Sequence, residues 1–330
     1  MLRRVRRISH PHPHAPTMRR PTRRIAALLP LALTLACAAA PARAANPAPS
    51  DTTRLRATLD SLMRGYPGVA GVSVINLKTG ERLSIRGDET FPTASLIKVA
   101  VLVTLMDEVN RGHIRLDERT AMIARDRVPG SGVLQYMQSG LQPTMGDLAW
   151  LMITLSDNTA TNLILDKLNL RTVWTKMDSL GLPHTRIHSK VYLRSTSIAM
   201  DSSVKYGVGV TTPNETARIF ELLYRGRAVS PALDSAALEI LRNNQDFTKL
   251  PRWLPDTVSV AHKTGEVDQS RNDCGIIYGP DAPVVVCAMT RENRETSYAP
   301  DNPANLLIAR IGLAVFRYYN PSIPVSEPAR

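Results

Sequence analysis

The spacing of apolar residues changes period four times along the chain. In TRLRATLDSLMRG, residues 53–65, the leucines and Met63 recur at helical intervals and Gly65 supplies a stop, which predicts one helix. VAGVSVINLKTGERLSIRG then alternates about a Lys-Thr-Gly turn and predicts a two-stranded hairpin. From residue 93 to residue 244 the period is helical again, with helices expected at 95–110, 144–154, 158–168, 171–180, 212–225 and 231–242. Thr212, Pro213 and Glu215 form a capping-box pattern with proline at the first helical position, and Ser230-Pro231 repeats that start without the glutamate. Beyond Val258 the alternation returns as three strands, 258–264, 272–279 and 284–290, before an amphipathic helix from about 303 to 318.

Strands, a block of helices and strands again make an α/β (α+β) chain. The simplest packing is one antiparallel sheet of about five strands, built from both ends of the chain and flanked by the terminal helices. Residues 46–92 and 245–330 would form this α/β lobe and residues 93–244 an inserted all-α lobe. A site is expected in the cleft between the two.

Composition adds little until the charge is located. The 330 residues are 43% hydrophobic and 21% charged, which is ordinary for a globular chain, and the net charge of +12 would suit a nucleic-acid partner. Residues 1–45, however, hold nine arginines and no acid, so residues 46–330 carry only about +3, and no nucleic-acid partner is expected. The leader runs from arginines through a 16-residue apolar stretch, Ile25 to Ala40, to Ala42-Arg43-Ala44, the order of a secretory signal with cleavage near Ala44. Its start could equally be Met18, and Thr22-Arg23-Arg24 leaves a twin-arginine signal open. The stretch is short for a stable membrane span. A lipoprotein cysteine at Cys37 is disfavoured because Thr34, three residues before it, is not aliphatic. The expected product is a secreted or periplasmic monomer.

In an oxidising compartment Cys274 and Cys287 could pair. They flank two apolar runs about a Gly-Pro-Asp turn. If Tyr278 faces Pro283 across that turn, the two cysteines also face each other; the alternative is two small buried thiols.

Candidate chemistry begins at Ser95 and Lys98. On a helix, residues three apart share a face, so a serine that needs a base lies beside a lysine that burial would push toward its neutral form. Alone, Ser-x-x-Lys arises about once by chance in such a chain, and a helix cap with a snorkelling lysine would explain it equally well. A second copy, Ser202-Ser203-Val204-Lys205, lies in a polar stretch and reads as a loop. Two further triplets are more specific. Ser156-Asp157-Asn158 lies at a junction between two helices, and Lys263-Thr264-Gly265 ends a strand, where Gly265 would leave room for a ligand backbone.

In this order the three motifs make the chain resemble the class A serine β-lactamases and the related penicillin-binding enzymes, a likeness that spans nearly all of residues 46–330. The resemblance implies a β-lactamase-like fold and the opening of β-lactam rings through an acyl-serine intermediate; no cofactor is expected, and the histidines outside the leader, His113, His184, His188 and His262, show no metal-ligand spacing. It implies that Ser95 is the acylated nucleophile, Lys98 its proton acceptor and Ser156 the proton donor to the departing nitrogen. Asn158 would hold the substrate side chain, Lys263 and Thr264 the substrate carboxylate, and the N–H groups of Ser95 and Glu266 the oxyanion. Arg271 resembles a second carboxylate-binding arginine, or is a solvated edge residue. One part of the family pattern is missing. The loop glutamate that activates the deacylating water has no counterpart, because GLPHTRIHSKVYLR places Val191 or Tyr192 there. Asp201, Lys98 or His188 could activate water instead. Otherwise the chain would be a penicillin-binding D,D-peptidase acting on cell-wall peptides, or a relative that only binds.

Overall fold

The structure is a computed structural model that describes residues 52–325; the expected leader lies outside the described residues. In chain order, helix α1 (Thr53–Arg64) precedes strands β1 (Val69–Asn76), β2 (Arg82–Ile85) and β3 (Phe91–Pro92). The helical block holds α2 (Lys98–Asn110), α3 (Met145–Thr154), α4 (Asn158–Leu168) and α5 (Leu170–Ser179), then β4 (Arg186–Ile187), α6 (Met200–Tyr206), β5 (Gly209–Thr211), α7 (Pro213–Tyr224) and α8 (Pro231–Arg242). The chain returns to strands β6 (Ser259–Val267), β7 (Ser270–Tyr278) and β8 (Pro283–Arg291) and ends on α9 (Pro303–Tyr319).

Five strands form one antiparallel sheet in the order β2-β1-β8-β7-β6, in which β1 from before the helical block pairs with β8 from after it. Both faces are covered, and β8 is buried from Val284 to Thr290. On β8, Val284, Val286 and Ala288 join a cluster with Leu55, Leu59, Ile308 and Phe316 of the terminal helices. Val285, Cys287 and Met289 point the other way, into the cluster of the helical block. Helix α2 is the axis of that block, with every residue from Lys98 to Asp107 buried. An apolar residue at every turn position is the mark of a fully enclosed helix, and each buried Leu or Val side chain contributes about 1.5–3 kcal/mol.

Some local expectations change. A second sheet, β3-β5-β4, lies beside the first; strands of two or three residues are too short to display alternation. Ser202–Lys205, expected as a loop, belongs to α6, which is tied down by Ser203 Oγ against Ser197 Oγ at 2.7 Å. The capping box at α7 forms by half. Thr212 Oγ1 accepts from Glu215 N at 3.1 Å, but the Glu215 carboxylate turns away to His184 N and Thr185 Oγ1. At α8 the Ser230 side chain does not cap, and Asp234 accepts from Ala228 N and Val229 N instead.

On the β7–β8 hairpin Tyr278 faces Pro283 and Cys274 faces Cys287, and the two cysteines form a disulfide. Closing a loop of this size restricts the unfolded chain by about 3 kcal/mol. Replacing both cysteines with alanine is expected to lower stability by about 2–4 kcal/mol in urea unfolding under oxidising conditions. An unchanged midpoint would mean that the bond does not form in solution.

Candidate active site

Ser95 stands on a 3₁₀ turn, Ala94–Ile97, that runs directly into α2 at Lys98. In 3₁₀ geometry residues i and i+3 eclipse, so the Ser95–Lys98 spacing brings the two side chains to one side. The turn is entered through Ala94 at φ 45°, a left-handed value that alanine adopts only under constraint. Strand β7 supplies that constraint: Asn272 Nδ2 donates to the carbonyls of Pro92 at 2.9 Å and Thr93 at 3.2 Å. Strand β6 closes on the same turn at Gly265, where a Cβ would lie 2.2 Å from Thr93 O and 2.7 Å from Leu96 N. Gly265 is therefore required by the approach of the protein's own backbone, which corrects the expectation that it makes room for a ligand.

The Ser156-Asp157-Asn158 segment links α3 to α4 and reaches the same place. Ser156 has φ 54°, and Asp157 fixes the segment from below. One Asp157 oxygen caps α4 at Ala160 N, while the other accepts from Val133 N and Leu134 N and so holds the 129–134 loop. Gly132 is needed there because a Cβ would come within 2.3 Å of the Asp157 carboxylate.

Lys98 is fully buried, and Nζ donates to Ser156 O at 2.6 Å, Ser156 Oγ at 3.1 Å and Asn158 Oδ1 at 2.8 Å. Lys263, also fully buried, donates to Ser156 Oγ at 3.2 Å and to Thr264 O at 2.9 Å. Every one of these acceptors is neutral. Burial, and then repulsion from Lys263, holds the Lys98 ammonium well below its usual pKa, against a smaller pull from Asp157. Burial likewise lowers Lys263 to about 8, offset by Asp246 and Asp273. Ser156 Oγ thus sits between the two lysine amines, within hydrogen-bond reach of both.

Arg271 takes neither expected role. Its side chain is fully buried, NH1 donates to the carbonyls of Asp268 and Ser270, and NH2 to those of Thr296 and Ser297. With NH1 and NH2 bound to the 268–297 backbone and Nε buried without a partner, it is neither a carboxylate ligand nor a solvated edge residue. Another cation, outside the sequence motifs, lies at Glu266. Lys249 is fully buried and pairs with Asp246 at 2.8 Å and with Glu266. No pattern pointed to it, since it lies between α8 and β6 outside any motif.

The 184–211 loop is held through Asn162, one helical turn beyond Asn158 on α4. Its Nδ2 donates to Val191 O at 3.0 Å, and its Oδ1 accepts from Val191 N at 2.8 Å. Val191 is therefore the loop residue clasped beside the site, and Tyr192 follows at φ 59°, 64% exposed. Asp201 is exposed on α6, and His188 is buried with Nδ1 on Gly207 O at 3.1 Å. Neither side chain is bonded to the Lys98–Ser156–Lys263 cluster. No group of acidic, histidine or cysteine side chains able to hold a metal occurs among the described residues.

Comparison with known proteins agrees with this geometry: the model of the β-lactamase enzyme family matches residues 54–319. The chain belongs to the β-lactamase enzyme family. A β-lactamase of Streptomyces cellulosae is 29% identical over 290 residues, 85% of this chain and 90% of that protein. The β-lactamase of Sphaerobacter thermophilus superposes with a TM-score of 0.73 at 27% identity, covering 84% of this chain and 99% of its own. PBP-A, of which a point mutant has also been solved as an acyl-enzyme complex with penicillin G, superposes at 0.72 with 29% identity, covering 81% of this chain and 96% of its own. This member of the β-lactamase family keeps the Ser-x-x-Lys, Ser-Asp-Asn and Lys-Thr-Gly elements around one hydroxyl, with a valine clasped at the loop.

If neutral Lys98 accepts the serine proton, acylation rises with pH as Lys98 loses its proton. It falls as the pH passes about 8, where Lys263 loses the charge that attracts an anion. Stopped-flow acylation across pH should show this bell. Lys98→Ala should lower the rate by about two to four orders of magnitude. A Lys98→Ala variant that keeps the wild-type rate would remove Lys98 from the reaction.

Proposed function

We propose that the chain is a serine hydrolase that opens β-lactam rings through an ester on Ser95. The observation that carries this reading is the Ser156 hydroxyl held between Lys98 at 3.1 Å and Lys263 at 3.2 Å. Neutral Lys98 takes the Ser95 proton as Oγ attacks the lactam carbonyl. The oxyanion is received by the N–H groups of Ser95 and Glu266, which the tight approach of Gly265 to the Ser95 turn keeps together. As the C–N bond breaks, Ser156 gives its proton to the nitrogen and is resupplied by the Lys98 ammonium. Lys263 and Thr264 hold the substrate carboxylate, and Asn158 the side chain. The arginine-rich leader, its apolar stretch and Ala42-Arg43-Ala44 support export with cleavage near Ala44, where such substrates are met.

A second reading has one observation in its favour. Val191, clasped by Asn162, offers no proton acceptor, so release of the acyl group would be slow and the chain would act as a penicillin-binding protein on cell-wall peptides. Steady turnover of a chromogenic cephalosporin, abolished in Ser95→Ala, is the outcome expected of a lactamase. A stable penicilloyl adduct on Ser95 in the intact mass, without turnover, would instead establish the second reading. In either case Val191→Glu should speed release of the acyl group by about 10²-fold, the scale of an added general base. An unchanged release rate would mean that Val191 does not face the ester.

A further inference from the structure

Side chains alternate along a strand, so His262, Thr264 and Glu266 share one face of β6. That face is covered by the segment between α8 and β6. His262 Nδ1 meets Asp273 Oδ1 at 2.9 Å, and Asp273 Oδ2 in turn accepts from Leu250 N at 3.0 Å. Two residues along from Thr264, the Glu266 carboxylate pairs with Lys249, whose ammonium has no solvent exposure. Asp246 and Thr248 Oγ1 bind the same ammonium at 2.8 and 3.1 Å, so Lys249 keeps its charge without Glu266. The Glu266 side chain remains 24% exposed. A carboxylate that reaches solvent therefore covers a buried cation next to the anchors Lys263 and Thr264.

We propose that Glu266 is a specificity-determining residue: an internal carboxylate that occupies Lys249, the second cation of the substrate-carboxylate subsite, and that an anionic substrate must displace. This rests on the reading of Lys263 and Thr264 as the carboxylate anchors. The ligand chemistry concerned is a carboxylate on the carbon next to the scissile amide, as in β-lactams and in peptides with a free C-terminus. While Glu266 is in place, its negative charge opposes that carboxylate. Once it swings into solvent, Lys249 adds a second positive partner. A neutral ligand of the same shape gains nothing from the exchange, so the residue discriminates by charge and not by size.

Binding measured on the Ser95→Ala background tests this without any acylation step, so a failure of Ser95 chemistry leaves the result intact. The full-length protein is titrated with benzylpenicillin and with its neutral methyl ester by calorimetry. Glu266→Gln should tighten benzylpenicillin about tenfold and leave the ester unchanged. Adding Lys249→Met to Glu266→Gln should erase the gain. Equal tightening of both ligands, or weaker binding of the carboxylate, would overturn the proposal. If the double variant does not fold, the carboxylate-to-ester comparison in Glu266→Gln alone decides.

Discussion

Two buried lysine amines meet at one serine hydroxyl in the interior, and much of the structure follows from having to keep them there. A buried cation normally has a carboxylate partner, because an unpaired charge costs several kcal/mol. The other buried lysines obey this: Lys176 pairs with Asp107 at 2.7 Å, and Lys249 with Asp246 and Glu266. Lys98 and Lys263 are bound only by neutral oxygens. The same residue type is thus used in two ways. Lys249 is raised by its acidic neighbours, while Lys98 and Lys263 are lowered by burial. The first kind braces the fold and the second can exchange protons.

Keeping an unfavourable arrangement in place requires rigid surroundings. Helix α2 is buried along ten residues, so Lys98 at its start has no freedom to retreat. Asn272 and the bare backbone of Gly265 press β7 and β6 onto the Ser95 turn. Asp157 fixes the opposite wall through three backbone N–H groups. Left-handed backbone at Ala94 and Ser156, on either side of the cluster, is the cost that this framework holds in place.

The long elements were legible in the sequence because each repeats its period several times. Helices α1, α4, α8 and α9 and the five-stranded sheet lie where the pattern puts them, within a residue or two apart from strand ends. The second sheet and α6 were not legible, since segments of two to seven residues are shaped by their neighbours. The three motifs were readable as residue types in a set order, and the structure adds their common focus on Ser156. Arg271 and Gly265 show the limit: sequence placed both beside the site, but only packing reveals that one is spent on carbonyls and the other on backbone clearance. Lys249 and Asn162 act through partners distant in sequence, Glu266 and Val191, and no local pattern marks such pairs.

We propose an acylating half built on Ser95, Lys98 and Ser156 beside a loop that presents Val191. On that proposal, acylation depends on Lys98 being neutral when a substrate arrives. The most direct test is an NMR titration of the protein with its lysines ¹³C-labelled at Cε, with Lys98 assigned by its loss in Lys98→Ala. Lys98 should titrate well below the ordinary lysine value of 10.5 and move back up when Lys263 is replaced by alanine. A Lys98 signal that titrates at the ordinary value, indifferent to Lys263, would contradict the proposal.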